Sequence, residues 1–399
     1  MATSSSDAIL DMVRILETGI ASCLVSVGAV WLLMLLKHVH GKYTYDDLDG
    51  RPQKFHSHAV PRIGGLAIFL GFFCSLGFGL WHAGIVGAIF LFICSLPIFV
   101  GGMLEDITKL IGPLTRLTLS FITTGLGVYL LGSRAIRLNV PVLDEILEVY
   151  PAVSLFLTFL AVSGVINAIN IVDGYNGLCG MVSVMIFSAL AYVSHNVADN
   201  FLLTLCLAAI GSTLGYLAWN YPKGLIFAGD GGAYFLGFLI AQISVLLVAR
   251  NPDVSPLFPL LVVAYPVWEM IFSMYRRLFL KKTAMDSPDA MHLHHLIYRR
   301  LVRWKIGSTA PEDLIQRNSL TSPYLWVLAL IAIVPAVVFW RDDLALACCI
   351  AIFVIIYTWL YRRIARFGSP GWLILRSKDG IRHSFPDKNG TQRSFNRLQ

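Results

Sequence analysis

Residues 167–178 form the segment NAINIVDGYNGL, which places three Asn, one Asp and two Gly between two long apolar runs. Asn167, Asn170 and Asp173 supply amide and carboxylate oxygens, which suit a hard cation or the polar groups of a substrate. Polar groups at a membrane boundary are costly unless they are paired, so an ionisable residue there indicates function. These residue types are also the commonest turn formers, so this segment alone leaves a site and a short loop equally open.

Two further acidic segments lie at the ends of apolar runs. Glu105 and Asp106 end one run, and Lys109 follows closely enough to neutralise a helix-end acid pair. Asp230 lies in the sequence GDGG directly before another run, where glycine lets the backbone approach a neighbouring group closely. Neighbouring carboxylates beside a membrane suit a general base or a metal site, and a plain charged helix end is the alternative.

A histidine cluster and several other polar residues add groups that contact anions and sugars. The sequence SPDAMHLHH ends in three His within four residues. Such a cluster binds either a transition metal or phosphates and sugars, and the lack of further Cys or His at zinc spacing favours the second. Lys54 and His56 precede the second apolar run, and Asn220 precedes the Asp230 segment. The cluster itself comprises His292, His294 and His295.

This set of side chains suits phosphoryl transfer. In that reaction the anionic groups must be neutralised and aligned, which carboxylates around a hard cation and nearby Lys, His and Arg accomplish. Mg²⁺ prefers oxygen ligands and usually takes one or two protein carboxylates together with substrate phosphates. The interpretation requires that the separate segments meet at one face of the protein.

The elements that must position these residues are membrane-spanning helices. The 399 residues are 56% hydrophobic and 14% charged, and the mean hydropathy is +0.69, which excludes an ordinary soluble domain. We predict an all-α, polytopic integral membrane protein with about eleven transmembrane helices. The seven Cys show no CxxC pairing, which argues against a disulfide framework or a thiolate metal site. The predicted spans are 18–37, 63–81, 84–103, 114–131, 152–170, 178–194, 200–218, 233–249, 256–280, 324–340 and 344–361.

The distribution of Lys and Arg predicts the orientation of these spans. With the N-terminus outside and the C-terminus cytoplasmic, nearly all of the 31 Lys and Arg fall on the inner side, as cytoplasmic loops require. All the polar motifs then share the cytoplasmic face. The net charge of +7 follows from this asymmetry, so no nucleic-acid partner is indicated. The outer exceptions are Arg14, Arg134, Arg137, Arg250 and Arg341.

Three local predictions complete the description. Residues 136–140 alternate in polarity before a proline, which predicts a short strand pair outside the membrane. Glu269 lies deep in the ninth span and needs a partner, for which Arg276 or Arg277 is a candidate. Residues 362–399 form a basic, polar cytoplasmic tail that follows the membrane domain of residues 1–361.

Several motifs jointly resemble one enzyme family over roughly residues 40 to 300. They are KFHSHAVPRIGG, GMLEDITKL, NAINIVDGYNGL, IFAGDGGAYFLGF and SPDAMHLHHLIYRR. Together they are similar to the polyprenyl-phosphate N-acetylhexosamine-1-phosphate transferases of the bacterial cytoplasmic membrane. The HxHH form resembles the branch that begins O-antigen and related glycans, whereas the MurNAc-pentapeptide branch usually has three consecutive His.

The resemblance implies transfer of a sugar-1-phosphate from a UDP-N-acetylhexosamine to undecaprenyl phosphate, with UMP as the leaving group. It implies Mg²⁺, or Mn²⁺, as the cofactor, membrane lipids as surroundings, and leaves a homodimer open. By the family's motifs, Asp230 and Asp173 are implied metal ligands, and Glu105, Asp106 and Asp173 are implied catalytic residues. Implied substrate-binding residues are Lys54, His56, Lys109, Asn167, Asn170, Asn220, His292, His294 and His295.

Three departures from the family pattern concern single side chains. Glu105 replaces an Asp, Asn176 replaces a second acid, and Ala233 replaces a Ser. They leave the identity of the sugar open, because GlcNAc, GalNAc and 6-deoxy sugars all remain. Within the family, the alternative is a MurNAc-pentapeptide phosphotransferase. From the residues alone, the alternatives are a polytopic transporter and an intramembrane protease using Asp173 and Asp230.

Overall fold

The structure is a computed structural model that describes residues 5–44, 60–80, 84–281, 291–302 and 311–366. The described part of the chain is all-helical and contains no β-strand pair. Lys54, His56 and the tail from residue 367 onward lie outside the described residues. The helices are α1 Ser5–Leu35, α2 Lys37–Thr44, α3 Gly64–Gly79, α4 Ile85–Thr108, α5 Pro113–Leu131, α6 Pro141–Val149, α7 Pro151–Val172, α8 Leu178–Asn196, α9 Asn200–Asn220, α10 Gly229–Arg250, α11 Leu257–Val262, α12 Ala264–Tyr275, α13 Leu293–Arg300, α14 Pro311–Val338 and α15 Asp343–Ala365.

Nine helices in these ranges are long and apolar enough to cross a membrane. The predicted span 63–81 is the shorter helix α3, and the predicted span 256–280 is broken at Val263 into α11 and α12. Pro266 explains the break, because its ring and missing N–H are incompatible with a hydrogen bond to the carbonyl of Val262. The first span begins earlier than predicted, since its apolar window starts at Leu10.

The segment between α5 and α7 corrects the prediction of a strand pair for residues 136–140. The backbone before α6 is irregular and finds no strand partner among the described residues. The Arg137 guanidinium instead donates to the carbonyl oxygens of Asn251 at 3.0 Å and Val254 at 2.6 Å. The alternating polarity of residues 136–140 therefore does not mark a strand pair. Its charged residue, Arg137, instead fixes the segment through hydrogen bonds to backbone carbonyls.

Helix α10 is buried along almost its whole length and forms the centre of the bundle. It packs against α4 and α7 and also contacts α3. Glycines let these helices approach closely: a Cβ at Gly65 would lie 2.5 Å from the Gly232 Cα, and one at Gly102 would lie 2.6 Å from the Gly231 Cα. Small residues allow the same close approach at other membrane helix interfaces. These contacts bring the N-terminal ends of α3 and α10 next to the C-terminal end of α4.

We expect Gly65→Ala to destabilise the bundle by about 1–3 kcal/mol, because the added methyl group must push α3 away from α10. Gly77→Ala is the matched control on the same helix, since a Cβ there meets nothing within 4 Å. Thermal unfolding in detergent measures both variants. Equal melting temperatures for the two variants would contradict the close packing of α3 on α10.

Candidate active site

Arg62 links two of the four predicted acids at one end of the bundle. Its Nε lies 3.5 Å from the Asp106 Oδ1, and its Nη2 lies 3.6 Å from the Asp230 Oδ1. Asp106 is contributed by the last turn of α4, and Asp230 by the first turn of α10. The predicted meeting of these two segments at one end of the helices is confirmed.

Asp106 is almost fully buried, with 3% of its surface exposed. Its Oδ2 accepts a hydrogen bond from the Gly231 backbone N–H at 3.2 Å, so the carboxylate satisfies a donor at the start of α10. Its Oδ1 accepts no hydrogen bond from any described group. Gly229 adopts a φ of +71° and a Cβ there would lie 2.4 Å from the Asp106 Oδ2, so only glycine fits beside this carboxylate.

Asp230 lies between two arginines and an asparagine. The Asn170 Nδ2 donates to the Asp230 Oδ1 at 3.1 Å, which joins α7 to α10. The Arg116 Nη1 lies 3.9 Å from the Asp230 Oδ2, and the Arg116 Nη2 lies 3.4 Å from the Glu105 Oε1. The same Arg116 Nη1 is 3.3 Å from the Tyr234 hydroxyl. Two guanidinium groups therefore neutralise part of the carboxylate charge at this face.

Asp173 ends α7 and lies within electrostatic range of the same group. The pKa of this carboxyl is raised to about 7, chiefly by burial; Arg62 lowers the pKa, and the nearby Asp230 and Asp106 add to the increase. The excess of negative charge is what a bound cation would relieve. Asp173, Asp230 and Asn170 thus occupy one site, as the sequence predicted.

Two asparagines hold the loop that follows Asp173. The Ser322 hydroxyl donates to the backbone carbonyl oxygen of Asn176 at 2.6 Å. The backbone N–H of Asn176 donates to the Asn318 Oδ1 at 2.8 Å. The Asn220 Oδ1 accepts from the Gly177 N–H at 2.6 Å, and its Nδ2 donates to the Ile226 carbonyl at 2.8 Å. Asn220 is therefore a buried residue that positions this loop, and its binding of substrate stays a prediction.

The histidine segment packs directly on the Asp173 loop. The His295 Nδ1 is 2.9 Å from the Tyr175 hydroxyl, and the His294 Nε2 lies 3.5 Å from where a Cβ on Gly174 would be. The rings of His292 and His294 are stacked with centroids 5.2 Å apart. Burial and the neighbouring His295 and His292 hold the pKa of His294 well below its usual range, so its imidazole is neutral at neutral pH.

The remaining predicted residues are placed less centrally. The Glu105 Oε2 accepts from the Ile111 N–H at 2.7 Å, so this carboxylate faces the α4–α5 connection as well as Arg116. Lys109 lies exposed in the left-handed conformation that ends α4, and Arg116 rather than Lys109 is the ion-pair partner of Glu105 within the described ranges. The Asn167 Nδ2 donates to the Ser163 carbonyl of its own helix at 2.8 Å.

Comparison with known proteins identifies the family. Residues 88–248 match the model of glycosyl transferase family 4. A probable undecaprenyl-phosphate N-acetylglucosaminyl 1-phosphate transferase of Bacillus subtilis (strain 168) is 33% identical over 251 residues, which cover 61% of this chain and 67% of that protein. The chain belongs to glycosyl transferase family 4. Within it, the relatives are polyprenyl-phosphate N-acetylhexosamine-1-phosphate transferases, and the resemblance predicted from the motifs is confirmed.

Two further relatives in glycosyl transferase family 4 are named as undecaprenyl-phosphate α-N-acetylglucosaminyl 1-phosphate transferases. The Thermotoga maritima protein is 30% identical over 253 residues, covering 63% of this chain and 73% of its own length. The protein of Escherichia coli (strain K12) is 28% identical over 257 residues, covering 62% of this chain and 67% of its own length. The matched residues 88–248 include Asp106, Asp173 and Asp230 but not the histidine segment.

The donor set fits the divalent cation that this family implies. The described residues contain no cluster of three or more His, Cys, Asp and Glu arranged to enclose a metal ion. Mg²⁺ does not require such a cluster, because it usually binds one or two protein carboxylates and completes its shell with water and substrate phosphates. The carboxylates of Asp230 and Asp173, which lie within electrostatic range of each other at this face, are consistent with that arrangement.

Sequence reasoning missed the two arginines of the glycosyl transferase site. Neither Arg62 nor Arg116 was among the predicted site residues. The signal that could have found them is charge balance, because several carboxylates gathered at one membrane edge require cations. Both arginines lie near glycine or proline at a helix N-terminus, where their side chains reach across to α10.

Proposed function

We propose that this enzyme transfers an N-acetylhexosamine-1-phosphate from a UDP-sugar to undecaprenyl phosphate and releases UMP. The observation that carries the proposal is the meeting of Asp106, Asp173 and Asp230 with two arginines beside a histidine segment. The names of the relatives support undecaprenyl phosphate as the acceptor. The product would begin a lipid-linked glycan of the O-antigen, capsule or exopolysaccharide type.

The reaction exchanges one phosphoanhydride partner for another. A phosphate oxygen of the lipid forms a bond to the sugar-bearing phosphorus, and the bond from that phosphorus to the UMP phosphate oxygen breaks. Arg62 and Arg116 neutralise phosphate charge at the centre, which lowers the cost of bringing two anions together. Asp106 accepts the proton of the lipid phosphate at its Oδ1, which no described group donates to.

The other residues bind and orient. The histidine segment holds the nucleotide-sugar through hydrogen bonds that its imidazole nitrogens donate to phosphates or accept from sugar hydroxyls. Asp230 and Asp173 would hold Mg²⁺, or Mn²⁺, with Asn170 supporting Asp230. The bound cation would supply charge neutralisation for the diphosphate and its leaving group.

We place this site on the cytoplasmic face of the bacterial inner membrane, because the positive-inside rule orients α15 with Arg366 inside and Arg341 outside. In a background without the native cysteines, we expect a Cys at position 341 to react with an impermeant reagent in intact cells. A Cys at position 366 should react only after permeabilisation. The reverse pattern would place the site outside and overturn this orientation.

The deciding assay combines purified protein, undecaprenyl phosphate, Mg²⁺ and a panel of UDP-N-acetylhexosamines. We expect equal amounts of UMP and of a lipid diphosphosugar, with no product from undecaprenol, which lacks the attacking phosphate. Release of UDP instead of UMP would show transfer of the sugar without its phosphate and would refute the proposed function. The preferred member of the panel identifies the sugar.

A further inference from the structure

Glu269 is fully buried in α12, and its partners correct the prediction that Arg276 or Arg277 would pair with it. Its Oε1 lies 3.0 Å from the His292 Nδ1 and accepts from the Leu293 backbone N–H at 3.0 Å. Its Oε2 accepts from the Tyr357 hydroxyl at 2.7 Å. A buried carboxylate is tolerated when several donors satisfy it, and three donors surround this one.

The contact with Leu293 places Glu269 at the start of α13. His292 is the residue directly before α13, and its side chain makes no capping hydrogen bond to the start of that helix. A carboxylate from another helix therefore satisfies one of the free N–H groups at the α13 N-terminus. The position of α13, and of the histidines on it, is thereby set by α12.

The last membrane helix supports the same segment from the other side. Besides Tyr357, Tyr361 of α15 donates from its hydroxyl to the Met291 carbonyl at 3.0 Å. The Arg276 guanidinium also donates to the Met291 carbonyl and to the Tyr361 hydroxyl. The backbone from Met291 to Leu293 is thus held between α12 and α15. The residues that make these contacts lie outside residues 88–248, which the family model matches.

The contact with His292 selects one form of its ring. An ionised carboxylate only accepts hydrogen bonds, so the His292 Nδ1 must carry the proton that it shares with Glu269. The Ser273 hydroxyl is also 3.0 Å from this Nδ1. In the neutral imidazole the Nε2 is then the unprotonated nitrogen, and its direction is set by the fixed ring.

We propose that Glu269 and Tyr357 are positioning residues that set the tautomer and orientation of His292 and thereby the affinity for the nucleotide-sugar. This inference rests on the proposed function, because it takes the histidine segment to bind the donor substrate. It makes α15 a part of the donor site rather than only a membrane anchor. The lipid substrate, which does not contact His292 in this proposal, is unaffected.

The test measures the Michaelis constants for both substrates and the dissociation constant of the UDP-sugar without acceptor. Loss of one hydrogen bond to a charged group predicts that Tyr357→Phe weakens donor binding by roughly 10-fold. Glu269→Gln, which removes the charge as well, should weaken it by on the order of 100-fold. The Michaelis constant for undecaprenyl phosphate should stay unchanged in both variants. A merely structural defect would lower the amount of active enzyme and leave both constants unchanged.

Tyr265→Phe is the matched control for Tyr357→Phe. Tyr265 is buried on α12, the helix that carries Glu269, and its hydroxyl has no hydrogen-bond partner in the described structure. This control variant should bind the donor like the wild type. In a double-mutant cycle with His292→Ala, the effect of Tyr357→Phe should nearly vanish, since it acts through that ring. Additive effects would overturn the inference, as would unchanged donor binding in Tyr357→Phe.

Failure of the proposed function and failure of this inference give different experimental results. If the wild-type enzyme releases no UMP with any UDP-sugar, the proposed function fails. If it releases UMP but the cycle is additive, only the role of Glu269 and Tyr357 fails. Tyr357→Phe keeps the buried carboxylate and two of its donors, so the cycle can be completed even if Glu269→Gln does not fold.

Discussion

Replacing Asp230 by Asn is expected to lower the turnover number by about 10³-fold, because the change removes a charge at the reacting phosphates. The side-chain volume is kept, and the new amide oxygen can still accept the hydrogen bond from the Asn170 Nδ2 that measures 3.1 Å in the wild type. Arg62 and Arg116 retain Asp106 and Glu105 as partners. The melting temperature should therefore change little. Steady-state turnover at saturating Mg²⁺ and thermal unfolding measure the two quantities.

Asp199→Asn is the matched control for this prediction. The buried Asp199 carboxylate precedes α9 and pairs at 2.9 Å with Arg250, which lies at the end of α10 opposite to Asp230. It accepts from the Leu202 N–H at the start of α9, a role that Asn performs equally well. Turnover should stay near the wild-type value in this variant. Comparable losses in the two variants would show that any lost ion pair inactivates the enzyme, and the metal-ligand role of Asp230 would be wrong.

The sequence predicted the acids of the site because membrane physics makes them conspicuous. Asp106, Asp173 and Asp230 each interrupt an apolar run at a boundary, where a carboxylate needs a reason to be present. One topology then placed all three on the same face, and the contacts through Arg62 confirm that Asp106 and Asp230 meet. The histidine segment also lies where the motif predicted, against the loop after Asp173.

The partners could not be predicted, since pairing depends on helix packing and not on position along the chain. Glu269 was expected to pair with an arginine about two turns away in the same predicted span, yet its partners come from the start of α13 and from α15. Arg116 takes the place assigned to Lys109, because the α4–α5 connection turns it back toward Glu105. Periodicity also could not show that Pro266 breaks a continuous apolar run into two helices.

Comparing Asp106→Asn with Glu105→Gln should separate the roles of two adjacent acids that were predicted from the sequence as one pair. We expect Asp106→Asn to lower turnover by about 100-fold or more, because it removes the proposed proton acceptor. We expect Glu105→Gln to lower it by less than about 10-fold, the size of one exposed or half-exposed ion pair. The Gln oxygen can still accept from the Ile111 N–H, and only the attraction to Arg116 is lost.

The contrast rests on where the two carboxylates point. Asp106 is 3% exposed and has one oxygen that accepts no hydrogen bond beside Arg62. Both Glu105 oxygens are engaged, one by the Ile111 N–H and the other by Arg116 of α5. Each variant is isosteric, so the melting temperatures should differ little and the turnover ratio reports chemistry. Saturating both substrates removes effects on binding. If Glu105→Gln proves as damaging as Asp106→Asn, the proton acceptor is the pair acting together, and Asp106 alone does not carry that role.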